Sequence, residues 1–212
     1  MTKELPDIVA PRLDVLFCGI NPALTATWAG HHFAGGSNRF WRVLYLSGFT
    51  PTEMSAEHDH QLLDYGYGIT SVVRRATASA DELSPSEFAA ALDDFERRIA
   101  HLRPRFVAFL GKAAYAGMNG LRTVDWGLQP KRIHNAVAWL LPNPSGRNRS
   151  FSLDRLVNAY RYLYMEVHPT PVAGRRTKPE IVSVEATRPN RHSRQPPVSY
   201  THLRAHETGR NL

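Results

Sequence analysis

Short apolar runs alternate along the chain with segments in which apolar residues recur at helical spacing. An apolar run of about four to six residues suits a strand buried on both faces of a parallel sheet, whereas recurrence every three or four residues indicates an amphipathic helix. Strands are predicted at 15–18, 105–110 and 136–141, and a strand or extended loop at 65–70. Helices are predicted at 37–46, 50–63, 84–103, around 113–115, and at 152–163. This alternation predicts an α/β fold, a three-layer α/β/α sandwich around a short, mainly parallel sheet.

Serines stand where three of these helices should begin. Ser37, Ser84 and Ser152 each precede an apolar periodic segment, and a serine hydroxyl can accept a hydrogen bond from a free backbone N–H of the first helical turn. Residues 119–135 lack a sustained pattern, so they are predicted to be irregular, with a short strand near Arg132.

Two of the predicted strands end in the same dipeptide, at Asn21-Pro22 and Asn143-Pro144. Proline stops the ladder of backbone hydrogen bonds, so each asparagine should lie at the carboxyl end of its strand. In open α/β sheets, ligands bind beyond these ends. A neutral amide carries both a donor and an acceptor and can hold a water or a substrate edge. We therefore expect the two asparagines to face one pocket from neighbouring strands.

The net charge of +7 favours a nucleic-acid partner, but this charge is spread unevenly along the chain. Residues 171–212 hold 8 of the 26 basic and 3 of the 19 acidic residues, which leaves a net charge of +2 for residues 1–170. The placement of individual arginines therefore matters more than the total. No apolar run approaches the roughly 18 residues of a membrane span, and no secretory signal is recognisable. The single cysteine, Cys18, excludes an internal disulfide and favours a reducing, cytoplasmic location.

Proline content and the loss of periodicity divide the chain into three parts. Residues 1–12 are predicted as a lead-in without regular structure, because two prolines interrupt them. Residues 13–168 form the predicted domain, and residues 169–212 form a basic tail that we expect to be disordered. The end of that tail, at 197–208, resembles a translated sequencing-adapter artefact. A genuine basic tail with non-specific affinity for DNA is the alternative.

Four motifs follow one another along the chain: GINP at 19–22, NRFW at 38–41, LGKAAY at 110–115 and LPNPSGxxR at 141–149. In this order they resemble the mismatch-specific uracil-DNA glycosylases and their thymine-DNA glycosylase relatives, and the resemblance covers residues 13–165. It implies the uracil-DNA glycosylase fold and an enzyme of base-excision repair, and because no lysine is placed as a Schiff-base nucleophile, a monofunctional enzyme is favoured. Such an enzyme hydrolyses the N-glycosidic bond of uracil, or of thymine or ethenocytosine, mispaired with guanine in double-stranded DNA. The resemblance also implies a monomer that needs no metal or organic cofactor and acts in the bacterial cytoplasm.

The resemblance assigns roles residue by residue. Asn21 would position the attacking water, and Asn143 would donate a hydrogen bond to the departing base. The base pocket would be lined by Ile20, Thr25, Phe33 and Ser71, with the backbones of Ile20 and Phe33 making polar contacts to the pyrimidine edge. The Phe33 ring would stack on the base that is flipped out of the duplex. The intercalation loop would consist of Ser145, Gly146, Arg147, Asn148 and Arg149. Arg147 would fill the gap left by the base, and Arg149 would contact a phosphate.

Each assignment has a simpler alternative. The two asparagines could only shape turns, since Asn-Pro is a frequent turn pair, Phe33 could only pack a loop, and 145–149 could be a solvated basic loop. The chain also departs from its relatives. Bacterial relatives typically carry leucine at the Arg147 position, and some carry lysine at the Ser71 position. Arginine can stack its planar guanidinium and donate to a base edge, so a wedge role for Arg147 stays open, as does the preference for guanine.

His31 and His32 directly precede Phe33. No acidic or cysteine partner lies at a recognised metal-ligand spacing, so we expect a solvated loop and not a metal site. Two other functions stay open: a glycosylase for the deaminated purines hypoxanthine and xanthine, and a non-catalytic protein that binds DNA lesions. Asn21 disfavours the second, because a pure binder has no need to hold a water.

Overall fold

The computed structural model describes residues 4–169, in which five strands form one sheet. These strands are β1 (Val15–Gly19), β2 (Tyr67–Ser71), β3 (Phe106–Leu110), β4 (Gly127–Leu128) and β5 (Val137–Leu141). Their spatial order is β2-β1-β3-β5-β4. All neighbours run parallel except β4, which pairs antiparallel with β5 at the edge of the sheet. The carboxyl ends of the four parallel strands therefore lie along the same side of the sheet.

Helices cover both faces of this sheet. Those of the described residues are α1 (Leu24–Ala29), α2 (Phe40–Ser47), α3 (Pro85–Leu102), α4 (Ala113–Asn119) and α5 (Leu153–Val167), with 3-10 helices at Ala56–Tyr65 and Ala80–Glu82. The apolar faces of α2 and α5 join one core cluster, and those of α3 and α4 join a second cluster on the opposite face. The prediction of a three-layer α/β fold with a mainly parallel sheet is confirmed.

The central strand β1 shows why its apolar run is uninterrupted. Val15 and Phe17 point into the cluster under α2 and α5, whereas Leu16 and Cys18 point into the cluster under α3 and α4. A strand covered on both faces needs apolar side chains at consecutive positions. Burial raises the pKa of the Cys18 thiol, which suits a small core residue and not a reactive one.

The predicted helix starts are confirmed at two serines and wrong at the third. Ser84 and Ser152 each accept a hydrogen bond from a backbone N–H of the first turn, at 3.1 Å in α3 and 3.3 Å in α5. Ser37 does not cap α2, which begins three residues later. There the side-chain oxygen of Asn38 accepts from the backbone N–H of Phe40 at 3.0 Å.

Three further elements differ from the prediction. The helix expected at 50–63 is a 3-10 helix that begins only at Ala56 and contains a kink at His58. Helix α1 was not predicted, because its six residues are too few for a periodic pattern and Ala23 offers no side-chain cap. The strand expected near Arg132 lies earlier, as β4, and only an isolated bridge between Ile133 and Ala136 forms close to the predicted place.

The segment predicted as a lead-in packs against the sheet. Ile8 and Ile69 of β2 exchange backbone hydrogen bonds of 2.9 and 2.8 Å, and Ile8 is almost fully buried. A glycine is required beside this contact, since a β-carbon on Gly68 would lie 2.5 Å from the Ile8 carbonyl oxygen. From residue 170 onward, the predicted tail lies outside the described residues. Within those that are described, no helix has the length and apolarity needed to cross a membrane.

Arg98 of α3 joins three parts of the fold. Its guanidinium donates to the Asp7 carboxylate at 2.8 Å and, at the end of β2, to the Thr70 hydroxyl at 2.6 Å and the Ser71 carbonyl at 2.9 Å. It also donates to Asp94, one helical turn away. The Arg98 side chain is only 14% exposed, so its removal would leave several acceptors without a donor inside the protein.

We predict that Arg98→Met lowers the free energy of unfolding by about 3 to 5 kcal/mol, because it breaks a largely buried ion pair and leaves its partners behind. Urea denaturation monitored by far-UV circular dichroism measures the change. Arg97→Met is the matched control, since the Arg97 side chain is 77% exposed and only approaches Asp94 at 3.8 Å. Equal losses in both variants would refute this structural role of Arg98.

Candidate active site

The two Asn-Pro loops lie at the same side of the sheet but do not follow neighbouring strands. Asn21 follows β1 and Asn143 follows β5, and β3 runs between these strands. The expectation of neighbouring strands was therefore wrong. The loops are nevertheless linked through a third loop, residues 74–79, which follows β2 and is called the 74–79 loop below. The Asn21 side chain and the Arg147 side chain both donate hydrogen bonds to it.

Asn21 is held through its amide nitrogen. Nδ2 donates to the carbonyl oxygen of Arg75 at 3.0 Å and to the hydroxyl of Thr77 at 2.6 Å. A carbonyl can only accept, so these partners fix which end of the amide faces the 74–79 loop. The Oδ1 atom has no hydrogen-bond partner within residues 4–169, and it is left as a directed acceptor. Such an acceptor can orient a water by accepting a hydrogen bond from one of its O–H groups.

Thr77 connects Asn21 to the 74–79 loop. Its hydroxyl donates to the Ser79 carbonyl at 2.7 Å, so an oxygen lone pair is left to accept from Asn21. Its backbone N–H donates to the Pro22 carbonyl at 3.2 Å, and its own carbonyl accepts from Leu24 at 3.1 Å. The Thr77 residue is 3% exposed. The orientation of Asn21 therefore depends on a buried threonine that lies 56 residues further along the chain.

The 74–79 loop is itself fastened to α3. The Arg75 guanidinium makes a two-pronged ion pair with the Glu87 carboxylate, and it also donates to the Glu82 carbonyl at 3.2 Å. The backbone carbonyl of the same Arg75 is the one that receives the Asn21 amide. Hydrogen bonding to Glu87 raises the pKa of Arg75 and lowers the pKa of Glu87, so both groups stay charged.

Asn143 is held the opposite way round. Its side-chain oxygen accepts from the backbone N–H of Ser145 at 2.9 Å, and its backbone carbonyl accepts from the Asn148 side chain at 2.9 Å. The side-chain amino group has no partner in the described part of the chain, and the residue is exposed. Asn21 therefore presents an acceptor to solvent, and Asn143 presents a donor.

Arg39 holds the second Asn-Pro loop, residues 142–151, in place. Its guanidinium donates to four carbonyl oxygens of that loop, with distances of 2.8 to 3.2 Å; they belong to Pro144, Ser145, Asn148 and Phe151. Its backbone N–H adds a further bond to the Pro144 carbonyl at 3.1 Å. Gly146 also fits closely against Ser37, since a β-carbon there would lie 2.6 Å from Ser37 side-chain atoms and 2.7 Å from its carbonyl oxygen.

The arginines predicted for the intercalation loop are exposed. The Arg147 guanidinium is folded back onto the protein and donates to the Ala78 carbonyl at 3.1 Å, while its backbone N–H donates to the Ser145 hydroxyl at 3.3 Å. Arg149 is exposed and has no ion-pair partner in residues 4–169. Both side chains are therefore placed at the surface of the second Asn-Pro loop.

Comparison with known proteins identifies the family. A sequence model of the uracil DNA glycosylase superfamily matches residues 6–164. This chain belongs to the uracil DNA glycosylase superfamily. Among solved structures, the chain is similar to the solution NMR structure of a candidate uracil DNA glycosylase from Methanosarcina acetivorans, with a TM-score of 0.54. That alignment covers 77% of this chain and 98% of the other at 19% identity, so it is evidence for the fold alone.

Membership of this superfamily makes the chain a DNA glycosylase, a hydrolase of DNA repair. The expectation of an enzyme acting on DNA is confirmed, whereas the resemblance to the mismatch-specific branch stays a prediction. The roles assigned to single residues also stay predictions. No group of three His, Cys, Asp or Glu side chains suited to a metal ion occurs among residues 4–169.

The predicted base-pocket residues of this superfamily member do not all share one surface. The Phe33 ring stacks on the buried Phe40 ring with 3.9 Å between centroids, and Phe33 itself is half-buried. Thr25 is exposed on α1, with its hydroxyl beside Gly35. The Ile20 side chain packs with the cluster under α3 and α4, which leaves its predicted backbone contact with the base a prediction, and Thr25 lies towards the loop that carries Phe33.

Ser71 lies at the carboxyl end of β2, opposite Gly19 at the end of β1. Its hydroxyl is 3.5 Å from where a β-carbon of Gly19 would stand, and the residue is 6% exposed. Its backbone carbonyl accepts from Arg98, which fixes the position of this strand end. Ser71 is therefore paired with the strand end that directly precedes Ile20 and Asn21.

The expectation of a solvated histidine pair was wrong for His32. This residue is 5% exposed, its ring donates through Nε2 to the Pro6 carbonyl at 2.8 Å, and its backbone N–H donates to the buried Asp59 carboxylate at 2.9 Å. Burial lowers the pKa of His32, so the ring is neutral near pH 7. His32 therefore anchors the loop before Phe33 to the lead-in and to the 3-10 helix Ala56–Tyr65.

We predict that Arg39→Lys loosens the second Asn-Pro loop without unfolding the domain. A lysine keeps the charge but cannot donate to four carbonyls in fixed directions. Hydrogen exchange measured by mass spectrometry should show faster exchange in peptides covering 142–151, while peptides from β1 and β3 keep their protection. Arg42→Lys is the control, since Arg42 is exposed and its one ion-pair partner within residues 4–169 is Glu53. Unchanged exchange in 142–151 would contradict the role given to Arg39.

Proposed function

We propose that this DNA glycosylase removes uracil mispaired with guanine from double-stranded DNA, as the mismatch-specific uracil-DNA glycosylases do, and that thymine and ethenocytosine are further substrates. The observation that carries the proposal is the opposed orientation of the two asparagine amides: Asn21 offers an acceptor and Asn143 a donor. We also propose that it works as a monomer in the bacterial cytoplasm. That part rests on the resemblance alone.

Hydrolysis of an N-glycosidic bond requires a water near C1′ and stabilisation of the departing base. The water oxygen bonds to C1′ as the C1′–N bond breaks, the base leaves with the electron pair, and the excess proton of the water passes to solvent. Asn21 would orient the water through Oδ1, and Asn143 would donate to the anionic base. A neutral amide is a poor proton acceptor, so catalysis would come from positioning more than from proton abstraction.

The lysines favour hydrolysis without cleavage of the DNA strand. Residues 4–169 contain two lysines, Lys112 and Lys131. The ammonium of Lys112, at the end of β3, lies 4.6 Å from the centre of the Trp126 ring, and Lys131 precedes β5, away from the Asn-Pro loops. A glycosylase that cleaves the strand needs an amine nucleophile at C1′. The contact of the Lys112 ammonium with the Trp126 ring, and the place of Lys131 before β5, therefore support a monofunctional enzyme.

The distribution of acidic residues supports a DNA-binding surface at the carboxyl side of the sheet. Segments 15–52, 65–80 and 126–153 contain no Asp or Glu, and they include the loops that follow β1, β2 and β5. Arg147 and Arg149 lie within the last of these segments. These loops thus contribute no carboxylate of their own to the surface that a phosphate backbone would approach, although the net charge of residues 1–170 is only +2.

Single-turnover base excision by the full chain tests the proposal on three substrates: a G·U duplex, an A·U duplex and single-stranded DNA containing uracil. We expect fastest excision on G·U, because Arg147 can donate to acceptor atoms of the unpaired guanine. Equal rates would keep the glycosylase and reject selection of the opposite base. Excision of hypoxanthine or xanthine alone would favour the purine-lesion alternative, and lesion binding without any excision would favour a non-catalytic binder.

We predict that Asn21→Ala lowers the single-turnover rate by about 10² to 10³-fold with little change in DNA affinity, because the water loses its acceptor. Thr77→Val is expected to cost about tenfold or more, since valine keeps the volume but leaves the Asn21 amide without one partner. Thr77→Ser, which keeps the hydroxyl, is the matched control. A valine variant as fast as the parent would contradict the positioning role of Thr77.

A further inference from the structure

Trp28 is an exposed indole close to the candidate active site. At 73% relative exposure, it is the most exposed of the large apolar residues among those described. Trp41 and Trp139 are both only 7% exposed, and Trp126 is half-buried. Burying an indole gains more free energy than burying most other side chains, so an indole left in water at this place needs an explanation.

The indole is carried by a fixed element. Helix α1 begins three residues after Asn21, and Leu24 at its start donates to the Thr77 carbonyl at 3.1 Å. Ala26 and Thr27 of α1 are buried, and the Thr27 hydroxyl donates to the Ala23 carbonyl at 3.2 Å. Trp28 therefore projects from a short helix that is tied to the same threonine that orients Asn21.

The surroundings of Trp28 match DNA better than an apolar protein surface. Trp28 lies in segment 15–52, which contains no acidic residue. The 74–79 loop that anchors α1 through Thr77 also receives the Arg147 guanidinium at Ala78, the next residue. Thr25, one helical turn before Trp28, is also exposed, and Trp28 is the single exposed large apolar residue in α1.

We infer that Trp28 is a stacking platform for a nucleobase of the bound DNA that has left the helical stack, separate from the base held against Phe33. Every base offers a flat π-face, so an indole binds it with little sequence preference, and Arg147, held at the loop that anchors α1, offers a positive charge to the DNA backbone. The inference rests on the proposed function only in taking DNA as the partner. It adds a contact for a flanking base to the contacts around the excised one.

Binding of the full chain to dye-labelled DNA tests this inference. The probes are a single-stranded oligonucleotide and a duplex with an abasic-site analogue opposite guanine, both measured by fluorescence anisotropy. Trp28→Leu removes the ring and is expected to weaken binding of the single strand about tenfold, whereas Trp28→Phe should retain most of the affinity. Leu128→Ala is the matched control, because Leu128 is 61% exposed on β4 at the edge of the sheet.

Quenching by acrylamide gives a second readout that a merely structural role would not move. The difference in fluorescence between the parent and Trp28→Phe isolates Trp28, and its quenching should fall when DNA is bound. Unchanged affinity in Trp28→Leu, or an indole equally accessible to acrylamide in the complex, would overturn the inference. A change of oligomeric state in Trp28→Leu, seen by light scattering without any change in DNA affinity, would also overturn it, in favour of a second copy of the chain.

Excision assays on the same variants separate this inference from the proposed function. Base excision that persists with no effect of Trp28→Leu on binding would reject the stacking platform and keep the glycosylase substrate. A tenfold loss of binding in a protein that excises none of the uracil substrates would keep the platform and reject the substrate proposal. The maximal single-turnover rate should stay unchanged in Trp28→Leu, because its indole contacts a base that does not react.

Discussion

The arrangement of the site depends on the hydrogen bonds that the guanidinium of Arg39 donates to carbonyl oxygens of the second Asn-Pro loop. Pro142 and Pro144 have no backbone N–H, so this loop has few backbone donors of its own, and its backbone turn is closed by the Asn148 N–H on the Ser145 carbonyl at 3.0 Å. Arg39 donates from its side chain to four carbonyls of the loop. Because Arg39 directly precedes α2, which packs with α5 on the sheet, the core of the domain sets the position of Asn143. A loop rich in proline is thus made rigid from outside.

The asparagine of the Asn-Pro dipeptide offers a different group in each loop, because a different end of its side-chain amide is already hydrogen-bonded. The 74–79 loop takes the amino group of Asn21, and the backbone of Ser145 takes the oxygen of Asn143. What remains is an acceptor in one loop and a donor in the other. The chemistry available to a neutral amide is therefore decided by its protein partners, and the proposed division of labour between water and leaving base follows from that.

Features fixed by local sequence could be predicted, and features fixed by distant partners could not. The strands and the caps at Ser84 and Ser152 follow from apolar runs and from hydroxyls a few residues away. The functions of Arg39 and Thr77 depend on groups more than 50 residues away, so only the presence of Arg39 in the NRFW motif hinted at its importance. His32 was misjudged for the same reason, since its partners Pro6 and Asp59 lie 26 and 27 residues away.

The docked position of Arg147 is compatible with a role as a wedge. Its guanidinium donates one hydrogen bond to the Ala78 carbonyl, and this contact is exposed to solvent. When the contact opens, water can hydrogen-bond to both the Ala78 carbonyl and the Arg147 guanidinium. Exchanging one such bond for another changes the free energy by about 1 kcal/mol or less, so release costs little. A base edge and an unstacked π-face then offer the same guanidinium both a hydrogen bond and a stacking surface. The contact with Ala78 thus keeps Arg147 beside the Asn21 loop and leaves it available to DNA.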